Sequence, residues 1–206
     1  MKKLLIISLN SDPILSYGTE HNGGQSKYIL ELGKNLVRKD WNIDIFTIKN
    51  SDGVLMESIT EGFNIYRFPL PKGTNYSYNI EEKDIDFISM SIHNFININK
   101  KDYNIILCCY WLSGLVGMVL KKTLNKNTLI SFCSLGFFKM QATGESSSLK
   151  RRIKYERIIA KELDHIIATS NEEKKILINE YLVDDKKITV IPRGIHSHNF
   201  FKVGEI

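Results

Sequence analysis

Short apolar runs alternate with stretches of helical spacing along most of the chain, and no other feature limits the fold as strongly. Leu4 to Leu9 is an apolar run of the kind expected of a strand buried on both faces. Gln25 to Arg38 follows at helical spacing, with Ile29, Leu32, Leu36 and Val37 on one face. Ile43, Ile45, Thr47 and Ile48 read as a second strand, and Phe63 to Phe68 as a third that Pro69 stops. Ile85 to Ile98 returns to helical spacing. Ile105 to Cys109 is a buried strand feeding a helix from Ser113 to Lys122, and Leu129 to Cys133 is the next strand. A charged helix from about Leu149 to Leu163 precedes a short strand, His165 to Ala168. Ser170 and Glu173 form a capping box, the hydroxyl accepting from the Glu173 N–H and the carboxylate bonding back, which starts a helix running to about Tyr181. Ile188 to Ile191 is the last strand, ended by Pro192.

A βαβα series of this kind specifies an α/β, Rossmann-like fold: a parallel sheet with helices on both faces. The polar stretch from Tyr76 to Lys83 reads as a loop, and no repeat or low-complexity tract interrupts the series. One domain over residues 1–206 is the economical reading, and that length buries a single sizeable core.

Charge and cysteine content narrow the function. The 28 basic residues exceed the 23 acidic ones by five, a mild excess that suits a sugar phosphate, a nucleotide or an acidic lipid. The basic residues are scattered and form no stripe interleaved with aromatics, which argues against nucleic acid. Cys108, Cys109 and Cys133 are odd in number and fit no disulfide framework or zinc pattern. The apolar run after Met1-Lys2-Lys3 is too short for a signal peptide, and no run approaches the roughly 18 residues that span a bilayer. The expected compartment is the cytoplasm.

The residues that bear chemistry fall just after strands, where ligands sit in parallel α/β folds. Gly23-Gly24-Gln25 precedes the first helix; glycines there let the backbone approach a phosphate, and the helix N-terminus favours an anion. No Gly-x-Gly-x-x-Gly is present, which disfavours a nicotinamide or flavin site. Tyr110-Trp111-Leu112-Ser113-Gly114 puts two aromatics at a strand's carboxyl end, where they line a pocket or join the core, and Ser113 is placed to cap the next helix. Ser131 to Gly136, followed by Lys139, gathers a hydroxyl, a thiol and a lysine. Arg151, Arg152 and Glu156 lie on the following helix, where a surface ion pair is the plain alternative.

These motifs, in this order and together with Ile166-Ile167-Ala168-Thr169-Ser170 and Val190-Ile191-Pro192-Arg193-Gly194, resemble the N-terminal domain of retaining glycosyltransferase family 4. The likeness is to the sucrose-phosphate synthase branch and to the mycothiol-pathway enzymes that glycosylate inositol phosphate. It implies a GT-B architecture: two Rossmann-like domains facing across a cleft, the first holding the acceptor and the second the sugar nucleotide. It implies that Gly23, Gly24 and Gln25 contact the donor diphosphate, and that Tyr110, Trp111, Ser134, Lys139 and Arg152 line the side of a sugar or sugar-phosphate acceptor. It implies hexosyl transfer from a nucleotide sugar such as a UDP-hexose, with no metal and no further cofactor.

Two departures qualify that expectation. Family members carry a histidine beside the transferred sugar where this chain has Cys133, and a second histidine where it has Cys109. A thiol is a weak donor and a weak acceptor and does not reproduce an imidazole. The match also ends near Phe200-Phe201 and the sequence at Ile206, so the sugar-nucleotide domain is expected to be absent and to come from a separate domain or subunit. A catalytically inactive acceptor-binding or regulatory module is the alternative, and a truncated gene product is another. A metal or redox role for Cys109 and Cys133, on neighbouring strands, is the rival reading of the thiols.

Overall fold

β1 (Lys2–Ile7) lies at the centre of an eight-stranded sheet, in the computed structural model that describes residues 2–14, 24–49, 53–70 and 82–194. Its six residues explain the placement. Leu5 and Ile7 pack into one core while Leu4 and Ile6 pack into another on the opposite face, so an uninterrupted apolar run is what a central strand needs. α1 (Gly24–Val37) covers the second face through Ile29. The chain then forms β2 (Trp41–Lys49), β3 (Leu55–Thr60) and β4 (Phe63–Pro69) on one side of β1.

After a 3-10 turn at Glu82–Asp84, α2 (Ile85–Ile98) crosses the first face, and β5 (Ile105–Cys109) pairs with the other edge of β1. α3 (Trp111–Leu124), β6 (Asn127–Ser131), α4 (Gly136–Thr143), α5 (Ser147–Glu162), β7 (His165–Ala168), α6 (Asn171–Asn179) and β8 (Ile188–Val190) complete the series. The order is β3-β4-β2-β1-β5-β6-β7-β8, and each pairing is parallel except β3 with β4. Helices lie on both faces, as expected, with α2, α3 and α5 contributing Ile88, Val116 and Ile159 to the first core.

The structure corrects several local expectations. β3 has no counterpart in the sequence reading: it is an edge strand whose burial is slight, and Leu55 and Met56 are exposed, so it lacks a strong apolar period. α4 is likewise an added helix. β6 begins at Asn127 and stops at Ser131, so Cys133 lies on the turn beyond the strand rather than at its end. α3 starts at Trp111, which places Ser113 inside the helix; its hydroxyl accepts from Leu9 N (3.1 Å) and caps nothing. At α6 the Ser170 hydroxyl does accept from Glu173 N (3.1 Å), but the Glu173 carboxylate reaches one residue further back, to the N–H and hydroxyl of Thr169. The expected loop at Tyr76 to Lys83 lies almost wholly outside the described residues.

Candidate functional site

Chain order reverses between β1 and β5: β2 and β4 extend one way, β5 to β8 the other. The carboxyl ends of β1 and β5 flank that reversal, the position where parallel α/β sheets bind ligands. Gly24 opens α1 on the β1 side and is exposed, while Gly23 lies outside the described residues. The first turn of α1 carries no acidic side chain to offset its positive end. Gln25 braces the start of the loop, its amide donating to Ser8 Oγ (3.2 Å) and Asn10 Oδ1 (3.3 Å). Ser11 and Ser26 join hydroxyl to hydroxyl, and Asp12 takes a two-pronged bond from Arg67 on β4, at 2.5 and 3.2 Å.

The β5 and β6 loops carry unusual backbone. Tyr110, at the N-cap of α3, has φ 78° and ψ 157°, a region that glycine alone occupies without cost. Cys133 has φ 61°. Each such residue costs about 1–3 kcal/mol and persists only where its surroundings hold it. Arg152 on α5 supplies the hold. Its guanidinium lies over the Tyr110 ring at 4.7 Å, donates to Tyr110 Oη (3.0 Å) and to the Ser134 carbonyl, and pairs with Glu156 at 2.7 Å.

Glu156 is fully buried and also accepts from the Gly136 N–H and from Tyr181 Oη (2.5 Å). Burial pushes its carboxyl up, opposed by Arg152 and the Tyr181 hydroxyl. The Tyr181 hydroxyl is driven well above its ordinary range by burial and by Glu156. The surface ion pair considered for Arg152 is thus replaced by an internal network that sets the Cys133–Gly136 turn.

The remaining expected residues are placed as follows. Trp111 is half-buried and stacks on Tyr155, centroids 5.9 Å apart, while packing against the first core. Ser134 is exposed, and its carbonyl is the Arg152 acceptor. Lys139 is exposed on α4, one turn beyond Ser134, and enters no ion pair among the described residues. Tyr110, Ser134 and Arg152 are brought together; Gly24 and Gln25 stand on the other flank.

The Cys109 and Cys133 thiols interact past the ends of β5 and β6. Cys109 lowers the Cys133 thiol; burial opposes this, while the charge of Arg193 adds to it, and the Cys133 thiol donates to the Ser131 carbonyl (3.6 Å). Cys109 is held up by Cys133 and by burial, and Cys108 by burial alone, partly offset by the Gly117 N–H. Among the described residues no three histidine, cysteine, aspartate or glutamate side chains stand close enough to hold a metal ion.

Sequence reasoning missed Arg193 as a side chain of this site. Its guanidinium sits over the Tyr28 ring at 5.0 Å, and a Cβ on Gly24 would lie 3.7 Å from its Nη1. The segment after β8 therefore reaches the N-terminus of α1. Burial pushes the Tyr28 hydroxyl up to about 12, with Cys109 and Cys133 adding to the rise and Arg193 opposing it. The motif Val190 to Gly194 was visible, but its reach across the sheet was not.

The family model described as Glycosyltransferase Family 4 matches residues 22–198. Mannosylfructose-phosphate synthase from Agrobacterium fabrum is 28% identical over 205 residues, covering 91% of this chain and 44% of that protein. D-inositol 3-phosphate glycosyltransferase from Kineococcus radiotolerans is 22% identical, covering 97% of this chain and 47% of its own length. Sucrose-phosphate synthase from Thermosynechococcus elongatus superposes with a TM-score of 0.77 at 26% identity, over 98% of this chain and 51% of that one. The catalytic domain of starch synthase IV from Arabidopsis thaliana shares the fold, with a TM-score of 0.59 at 14% identity, over 95% of this chain and 52% of that one. The chain spans about half the length of the curated relatives it matches.

Proposed function

The chain belongs to glycosyltransferase family 4, and from that premise we propose that it is the acceptor-side half of a retaining hexosyltransferase acting on a phosphorylated sugar or polyol. The observation that carries this reading is the reversal of strand order between β1 and β5, with Gly24 on one flank and Tyr110, Ser134 and Arg152 on the other. The sugar-phosphate acceptors named in two of the similar proteins support the acceptor class. A nucleotide sugar is the donor, and a second Rossmann-like domain or subunit brings it. No cofactor or metal enters the reading.

The parts divide as follows. The loop at Gly23 and Gly24 and the amide of Gln25 steady the donor diphosphate through backbone N–H groups at the start of α1. Lys139, with no competing ion pair among the described residues, draws the acceptor phosphate, and the Ser134 hydroxyl and Trp111 flank the acceptor. Arg152 acts chiefly by fixing Tyr110 and the Ser134 turn, because most of its guanidinium is engaged by protein. Transfer with retention has the acceptor hydroxyl attack on the face the diphosphate leaves, with the leaving phosphate accepting its proton. Cys133 stands where family members place a histidine, at a cost in rate.

Calorimetric titration of the chain with fructose 6-phosphate and with inositol 3-phosphate tests the acceptor side. One of them is expected to bind, and Lys139→Ala to weaken it by about tenfold or more. Binding of neither, or binding indifferent to Lys139→Ala, removes the acceptor pocket. Transfer is assayed with a family 4 nucleotide-binding domain present, where Cys133→His should raise the rate. Inactivity of both forms removes the enzyme reading. Cysteine at both histidine positions favours a second reading, an acceptor-binding module without catalysis, which keeps the binding result and loses the transfer result.

A further inference from the structure

Arg67 and Arg152 are buried and Arg193 is half-buried with part of its guanidinium shielded; the first two meet the electrostatic cost within the protein. A guanidinium stays charged at every accessible pH, so burying one without an acceptor is costly. Arg67 uses the edge formed by Nε and Nη2 to grip the Asp12 carboxylate in a two-pronged bond. Arg152 turns its Nε to Glu156, with Tyr110 and the Ser134 carbonyl taking the rest. Arg193 has the same edge, Nε and Nη2, shielded from solvent, and neither nitrogen has a hydrogen-bond partner among the described residues. Among the described residues no third carboxylate compensates: Glu173, whose field reaches Cys133 as that of Arg193 does, accepts from Thr169 with Oε2 and makes no bond with Oε1.

We propose that Arg193 holds a phosphoryl oxyanion of the ligand, gripped by its Nε–Nη2 edge at the N-terminus of α1. Position and chemistry agree on this. The Tyr28 face fixes the plane of the guanidinium, so the fork is oriented before a ligand arrives. Gly24 leaves room beside Nη1 and begins a helix whose first turn bears no acidic residue. A positive helix end beside a guanidinium whose fork has no hydrogen-bond partner among the described residues suits a tetrahedral dianion or a diphosphate rather than a neutral sugar hydroxyl. Arg152 and Lys139 stand on the β6–α5 side of the reversal, so Arg193 serves the opposite, donor-side flank. The inference deepens the donor half of the function proposed above and rests on it.

The test uses the whole chain and calorimetric titration with two probes, inorganic pyrophosphate and fructose 6-phosphate. Wild type is expected to bind pyrophosphate, and Arg193→Gln to weaken that binding by about tenfold or more. Arg193→Lys, which keeps the charge and loses the fork, should fall between the two. Because the edge has no hydrogen-bond partner among the described residues and only the Tyr28 contact is lost, Arg193→Gln should barely lower the melting temperature of the ligand-free chain; a drop of several degrees would mean a structural role and overturn the proposal. Pyrophosphate binding that is equal in wild type and Arg193→Gln, or absent from wild type, also overturns it. Loss of fructose 6-phosphate binding alone keeps an oxyanion at Arg193 but assigns it to the acceptor. The acceptor-side function fails separately, through indifference to Lys139→Ala, so the two failures are distinguishable.

Discussion

Cys133 interacts with Cys109 and lies within the field of Arg193, and both favour its thiolate. Cys108 and Cys109 are fully buried and are held toward the protonated form. The thiolate is the nucleophile, so a depressed pKa keeps a cysteine reactive as pH falls below the ordinary thiol range near about 8.5. Iodoacetamide at neutral pH is expected to label Cys133 before the other two, as read by peptide mass mapping. Earlier labelling of Cys108 or Cys109 would contradict the arrangement. Tyr110 makes a second point at this scale. Tyr110→Phe deletes the oxygen that accepts from Arg152 Nη1 and should cost on the order of 1.5–3 kcal/mol in urea unfolding. A cost under about 0.5 kcal/mol would mean that water replaces the phenol.

Elements are held at their crossing points by small residues and buried pairs. Gly117 on α3 lies against β5, where a Cβ would overlap the Cys108 thiol and press on Thr128 at 3.3 Å. Gly117→Ala should therefore destabilise by about 1–3 kcal/mol despite the higher helix propensity of alanine. A neutral or stabilising result in thermal melting would show that α3 slides freely over β5. Asp12 ties the loop after β1 to Arg67 on β4, and Arg67 also reaches Glu57 on β3 at 2.7 Å. Asp12→Ala leaves a buried guanidinium short of its main partner, and about 3–5 kcal/mol should be lost. A loss below about 1 kcal/mol would show that Glu57 alone suffices. Since this pair anchors the loop after β1, the same variant should weaken pyrophosphate binding.

For the molecule as a whole, the pH dependence of stability can be signed at Asp164. This carboxylate accepts from Thr128 N at the start of β6 and pairs with Lys121 on α3. Partial burial raises its pKa, but Lys121, the Thr128 N–H and Lys187 outweigh that and leave it lowered. A lowered carboxyl stabilises the fold above its unfolded value of about 3.9, and that contribution fades as pH falls through the folded value. Asp164→Asn should therefore melt lower than wild type at pH 7, with the gap closing below about pH 4. A gap of constant size across that range would mean that only the hydrogen bond matters. No helix among the described residues is long and apolar enough to cross a membrane.

The sequence by itself determined the class of fold and the family. Two-faced burial writes β1 as an unbroken apolar run, and one-faced burial writes α1 and α2 at helical period, so periodicity reveals them. The motif order likewise placed Gly24, Tyr110 and Ser134 after strands and Arg152 on a following helix. It could not supply β3, whose exposed edge position demands no apolar pattern. Tertiary structure alone decided what Arg152 does, because Tyr110 is 42 residues away and only the crossing of α5 over the β5–β6 ends joins them. It alone decided that Arg193 returns from the far end of the sheet to the N-terminus of α1. Local pattern records how much of a segment is buried; which charge is left without a partner depends on contacts between segments remote in the chain.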